Sequence, residues 1–278
     1  MRTYNYKNIL EMYNLENINQ LLDYIRKNNK CIALNLTFAN LSFTNLIDTN
    51  LIGANLTDAE LINANLRGAE LIDTILTGAN LTNANLSNAD LTNADLSDAN
   101  LTKADITKAN IIGANLSSAD LSYTDLEDAD LKDADLTNAD LRYTNLRHAD
   151  LSYADLRFAD LNNVNLANAY LYNANLINVN LTNANLYNAN LYNADLSYAD
   201  LRFADLTNVN LANTYLYNVN LANANLTNAN LYNANLYNAD LSYADLTNAN
   251  LYNADLTNAN LSNADLTNAN LTNVKKFI

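Results

Sequence analysis

Few residues of this chain have the types that do chemistry. Among 278 residues there is one cysteine, Cys31, and one histidine, His148. A thiol nucleophile needs a base held beside it, and these two lie far apart in sequence. Cys31 falls in phase with a run of recurring leucines, which predicts a buried small hydrophobe. His148 falls at an outward position. The remaining candidates are carboxylates: Asp120, Asp140 and Asp160 recur at intervals of twenty residues, as do Asp130 with Asp150 and Asp135 with Asp155. Aligned carboxylates could collect a divalent cation, but no histidine, cysteine or converging ligand set completes a site. Catalysis requires convergent groups of tuned pKa in a concave pocket, and no glycine-rich loop of phosphate-binding spacing is present. The expectation is therefore a non-enzyme without metal or cofactor.

Whether those carboxylates align depends on the element that carries them. From Leu36 to Leu271 a leucine or isoleucine stands at every fifth position, and the two isoleucines are Ile106 and Ile111. Two residues before it stands Ala in most units, with Leu34, Thr (Thr44, Thr124) or Val (Val164) elsewhere. Just before it stands Asn or Asp, except at Glu60, Glu70, Ile75, Tyr170 and Tyr215. On a helix, steps of five residues scatter the leucines around the whole cylinder. In an extended segment Ala and Leu share a face, but five is odd, so the chain must bend in every unit to keep all pairs on one side. The second residue after Leu is mostly Asn, Asp or Gly, and all four glycines, Gly53, Gly68, Gly78 and Gly113, occupy that slot. These residues best tolerate the positive φ of a type II turn. No proline removes a backbone donor. A polygonal tube follows, its coils stacked at about 4.8 Å.

The unit Ala-[Asn/Asp]-Leu-x-x, as in Ala134-Asp135-Leu136-Thr137-Asn138, resembles the pentapeptide-repeat family over most of the chain. The resemblance implies an all-β fold, a right-handed quadrilateral parallel β-helix with four units per coil. It would have about twelve coils and a length of roughly 55 Å at strand spacing. On such a coil Asp120, Asp140 and Asp160 stack as like charges, which is unfavourable. Lys132, Arg142, Arg147 and Arg157 lie close enough in sequence to relieve part of this. Tyrosines also form columns: Tyr172 with Tyr192, Tyr232 with Tyr252, and Tyr217 with Tyr237. Exposed tyrosines form interfaces well and also stack on one another. Outward asparagines could bridge coils through their amides.

Outside the repeat, Leu15, Ile18, Leu22 and Ile25 lie at helical spacing. Residues 1–30 are expected to form a helical cap over the first coil, residues 31–274 the β-helix, and residues 275–278 a short tail. An uncapped coil edge exposes unpaired strand groups. The tail is too short to cover one, which predicts a homodimer through the last coil with Phe277 and Ile278 in the seam. Leu-Ser-Tyr-Ala-Asp begins at 151, 196 and 241; this longer repeat of nine units rotates each copy by one side of the tube.

The net charge is −15. An acidic rod of this kind repels nucleic acid and membrane surfaces and favours basic partners, or the charge serves solubility alone. With no membrane-length apolar run and no signal segment, a cytoplasmic location is expected. The function expected first is a non-catalytic protein-interaction scaffold, its candidate surface made of Asp120, Asp130, Asp140, Asp150, Asp160, Tyr172, Tyr192, Tyr232 and Tyr252. The family resemblance implies an alternative, a dimeric mimic of duplex DNA that binds DNA gyrase and confers quinolone resistance. A third reading is a chiefly structural rod produced by repeat expansion.

Overall fold

The computed structural model describes residues 4–5, 20–21, 23 and 34–275. Its first strand, β1 (Tyr4–Asn5), pairs in parallel with β2 (Leu34–Asn35), Tyr4 opposite Leu34. Single parallel bridges follow, each joining residues twenty apart, from Asn35 with Asn55 to Asp255 with Lys275. A twenty-residue coil holds four five-residue units, so the tube is a four-sided parallel β-helix. Lys275 continues the ladder one residue past Val274.

The unit Ala134–Asn138 shows why this sequence winds so. The Asp135 N–H donates to the Ala114 carbonyl of the preceding coil at 3.0 Å. The N–H groups of Leu136 and Asn138 donate to the carbonyls of Asp155 and Arg157 on the following coil, at 2.7 and 3.0 Å. The Ala139 N–H closes the turn on the Leu136 carbonyl at 3.1 Å. One donor is left, that of Thr137, and it goes to the Asp135 Oδ1 at 2.9 Å. The preference for Asn or Asp before the leucine thus has a structural cause: its side-chain oxygen satisfies the backbone donor two residues on. Glu60, Glu70, Ile75, Tyr170 and Tyr215 depart from that preference.

Every second residue after the leucine, from Phe38 to Asn273, has φ between 52° and 67°, as the expected turn requires. The slot accepts aromatic residues as well as Asn, Asp and Gly; Tyr123 and Phe203 have φ of 61° and 62°.

The leucine centres from Leu36 to Leu256 are buried and form one continuous core with the alanines. Where Thr replaces Ala its hydroxyl stays paired: Thr74, Thr124 and Thr144 donate to the carbonyls of Leu51, Leu101 and Leu121 at 3.0, 2.9 and 2.8 Å. Toward the C-terminal end the core opens, and Leu261, Leu266 and Leu271 are only partly buried. At the other end Gln20, Leu21 and Asp23 are helical, and Leu21 is fully buried in the core cluster. Most of the expected helical cap, including Leu15, Ile18, Leu22 and Ile25, together with Cys31 and the expected seam residues Phe277 and Ile278, lies outside the described residues.

Candidate interaction surface

Each coil presents three outward slots per unit: the Asn/Asp bridge residue in the middle of a side, and two turn residues at the corner that follows. The bridges Asp120–Asp140 and Asp140–Asp160 place these carboxylates in one column. Asp130 and Asp150 are also bridge partners, but two units separate them from the first column, which puts them on the opposite side. The expected acidic surface is therefore two columns, back to back. His148 is exposed at a corner, with φ of 59°.

Basic residues relieve part of the repulsion within each column. Lys132 Nζ sits 3.0 Å from Asp130 and 2.9 Å from Asp150, bridging two coils. Arg142 grips Asp140 through Nε and Nη2 at 2.5–3.0 Å and reaches Asp160 at 3.9 Å. Arg157 and Arg202 hold Asp155 and Asp200 in the same way. The Arg142 hydrogen bonds hold the Asp140 carboxyl below the usual carboxylate range against partial burial. At Asp150 burial pushes the carboxyl up, but hydrogen bonds from Ser152 and Lys132 outweigh it and the net shift is downward. All these pairs are substantially solvated, so each contributes little to stability.

Asparagine continues the columns where aspartate stops. Asn180 Nδ2 donates to Asp160 Oδ1 at 2.8 Å. An unbroken amide ladder runs through Asn190, Asn210, Asn230, Asn250 and Asn270 at 2.9–3.1 Å.

The tyrosine columns form as the spacing predicts. Tyr172 stacks on Tyr192 and Tyr232 on Tyr252, each with centroids 5.7 Å apart, along one corner with Ala212 between the pairs. Tyr217 stacks on Tyr237 at 5.4 Å. Spacing by twenty did not reveal the edge contacts that extend these stacks. Tyr153 meets Tyr172 at 5.4 Å and 74°, and Tyr198 repeats this on Tyr217 at 5.3 Å and 75°. The signal was the nine-unit duplication, which carries the whole cluster to the next corner. Also unanticipated was the stack of Tyr123 on Tyr143, with centroids 4.9 Å apart. The two phenol hydroxyls at the C-terminal end accept from Asn258 and Asn273.

Among the described residues no three histidine, cysteine or carboxylate groups converge to hold a metal. A shallow polar groove of about 440 Å³ lies along Asn193, Asn213, Asn233 and Asn253, bounded by Tyr215, Asp255 and Lys275. Its amides are largely spent on one another.

Several solved structures resemble this one. HetL, a pentapeptide repeat protein involved in heterocyst differentiation regulation from the cyanobacterium Nostoc sp. strain PCC 7120, is 33% identical; the match covers 93% of this chain and 96% of HetL, with a TM-score of 0.38. QnrB1, a plasmid-mediated fluoroquinolone resistance protein, is 20% identical over 63% of this chain and 85% of its own, with a TM-score of 0.46. Rfr23 from the cyanobacterium Cyanothece 51142 is 45% identical over 35% of this chain and 64% of its own, with a TM-score of 0.21. No curated protein matches in sequence. A family model described as pentapeptide repeats matches at residues 35–71, 74–111, 94–133, 129–168, 169–208, 204–242 and 234–273. With nearly the whole tube so matched, the chain belongs to the pentapeptide-repeat family.

Proposed function

We propose that this protein is a non-catalytic interaction scaffold, an acidic rod that displays columns of like side chains to a protein partner. One observation carries the reading most directly: the half-exposed pairs Tyr172–Tyr192 and Tyr232–Tyr252 stand in line along one corner. Tyrosine offers large contact area at low entropic loss together with a polar tip. In this reading the rod is right-handed with about twelve coils, bears residues 1–30 as a helical cap, and pairs tail to tail through its open C-terminal coil, in the cytoplasm.

The test uses photo-crosslinking side chains placed singly in cells at Tyr143, Tyr192, Thr227 and Tyr237, one on each corner. A scaffold gives a discrete protein adduct from one or two corners. Equal yields from all four, or none above background, would sink the reading.

DNA mimicry is the second reading. Strong acidity favours it, since −15 is concentrated on a narrow rod. Against it, Arg142, Arg157, Arg202 and Lys132 tie up the carboxylates that would imitate phosphates. A gyrase supercoiling assay decides: salt-sensitive inhibition that is lost on changing Asp120, Asp140 and Asp160 to Asn would replace the scaffold reading with the mimic.

A further inference from the structure

Exposed aromatic residues of the turn slots fall into two classes on this rod. Those of the stacked pairs Tyr172–Tyr192 and Tyr232–Tyr252 occupy the first turn slot, where φ is ordinary. A second set occupies the next slot, where φ is positive. There Asn or Gly would be favoured, and an aromatic ring is disfavoured by its own Cβ. Of this second set, Tyr123, Tyr143, Phe203 and Tyr243 lie on one corner, and Phe158 and Tyr198 lie on the next. They are 49–63% exposed, among the most solvated large side chains of the molecule. Folding therefore gains little burial from rings that the backbone accommodates at a penalty.

These two corners are the rims of a single side of the tube. The column running down its middle is Asp120, Asp140 and Asp160, continued through Asn180 to Asp200 and through Asn220 to Asp240. Arg142 pairs with Asp140 and reaches Asp160, and Arg202 pairs with Asp200; two guanidinium groups against the five carboxylates of the column leave the side a surplus of negative charge, with Asp120 and Asp240 free of these arginines. Opposing rims of aromatic rings around a carboxylate column make a surface of definite chemistry. Ring faces take guanidinium and aliphatic groups, while the carboxylates select a cation between them.

We propose that this side, between the Tyr123/Tyr143/Phe203 corner and the Phe158/Tyr198 corner, docks a basic segment of a protein partner. Its arginine or lysine side chains meet the aspartate column, and its apolar groups seat on the two aromatic rims. From Asp120 to Asp200 the side extends four coils, about 19 Å at strand spacing, or about 13 residues of a helix laid along it. The inference rests on the scaffold reading and adds to its tyrosine column a second surface, one side of the tube, with one partner chemistry.

The test measures fluorescence anisotropy of a labelled amphipathic peptide of arginine and leucine on the full chain, alongside thermal melting. The variant Tyr143→Asn/Phe158→Asn/Phe203→Asn should weaken binding by roughly tenfold or more, with its melting midpoint unchanged or raised. Tyr187→Asn, on a corner that bounds neither this side nor the tyrosine column, should bind as wild type does, and a peptide with glutamate in place of arginine should not bind. The proposal is overturned if the wild type binds no arginine peptide, if the triple variant binds it unchanged, or if that variant melts lower. Loss of binding in Tyr172→Asn/Tyr192→Asn, with the triple variant unchanged, would move the site to the tyrosine column and leave the scaffold reading standing. Unchanged binding in both variants would mean attraction by bulk charge alone, and both readings would fall.

Discussion

The ring of Tyr123 lies parallel to that of Tyr143, centroids 4.9 Å apart and planes 8° from parallel, although both residues hold φ near 60°. A favourable stack and an unfavourable backbone thus occur at the same two residues. Stacking contributes about 0.5–1.5 kcal/mol, and left-handed backbone costs a non-glycine residue about 1–2 kcal/mol.

Replacing Tyr143 by Asn should therefore leave stability nearly unchanged, since relief of the backbone offsets loss of the stack. Phe43→Asn should instead stabilise by about 1 kcal/mol, because Phe43 is 77% exposed at φ 61°. Urea unfolding of the two variants checks the contrast; a loss of stability in Phe43→Asn would show that its ring packs in solution.

Core truncations should depend on position along the tube. Leu136 is fully buried, so Leu136→Ala is expected to lose about 2–5 kcal/mol. The same change at Leu266, partly exposed in the last coil, should lose less than half as much. Ala134→Leu should overpack by about 1–3 kcal/mol. Because each coil touches only its neighbours, hydrogen exchange should show the Leu136 loss localised to adjacent coils.

The bridge-slot oxygen has a measurable structural duty. Asp135→Asn keeps an acceptor for the Thr137 N–H and should leave the melting midpoint nearly unaltered. Asp135→Ala leaves that donor to solvent and should cost about 1 kcal/mol. If the two variants melt alike, the side-chain acceptor is dispensable.

Acid should weaken the tube at a definable point. The carboxyls of Asp95, Asp140, Asp150, Asp200, Asp245 and Asp255 are all lowered in the folded state. At Asp95, Asp150, Asp200 and Asp255 burial acts in the opposite sense and is outweighed by hydrogen bonds from neighbours such as Ser97, Ser152, Arg202 and Thr257. A lowered folded pKa contributes stability that is fully present above the unfolded value, about 4, and is lost as pH falls through the folded values. Melting midpoints should be level from pH 7 to about 5 and decline below about 4. A decline beginning at pH 6 would require a different group.

Much of this architecture was readable because five-residue regularity is a local signal. Inward Leu136 and Ala134, and the corner at Thr137-Asn138, follow from alternation and turn chemistry alone. The columns Tyr172–Tyr192 and Asp120–Asp140–Asp160 were legible once a twenty-residue coil was supposed. Unread were the contacts offset from that spacing, such as Tyr153 on Tyr172, and the span of Lys132 between Asp130 and Asp150. Those depend on how a side chain leans across a coil boundary, which no repeat records. The pairing of Tyr4-Asn5 with Leu34-Asn35 was likewise hidden, since two residues outside the repeat carry no periodicity to register them.

The sequence by itself determined which way each residue faces and where the chain turns, because both are settled within five residues by sterics and by the φ that each residue type tolerates. Only the tertiary structure decided that the coil closes after four turns, and with it which outward residues become neighbours. Closure depends on how far each turn rotates the chain and on hydrogen bonds to a coil twenty residues away. The same string of Asp, Tyr and Asn wound on three or five sides would set different columns side by side and offer partners a different surface.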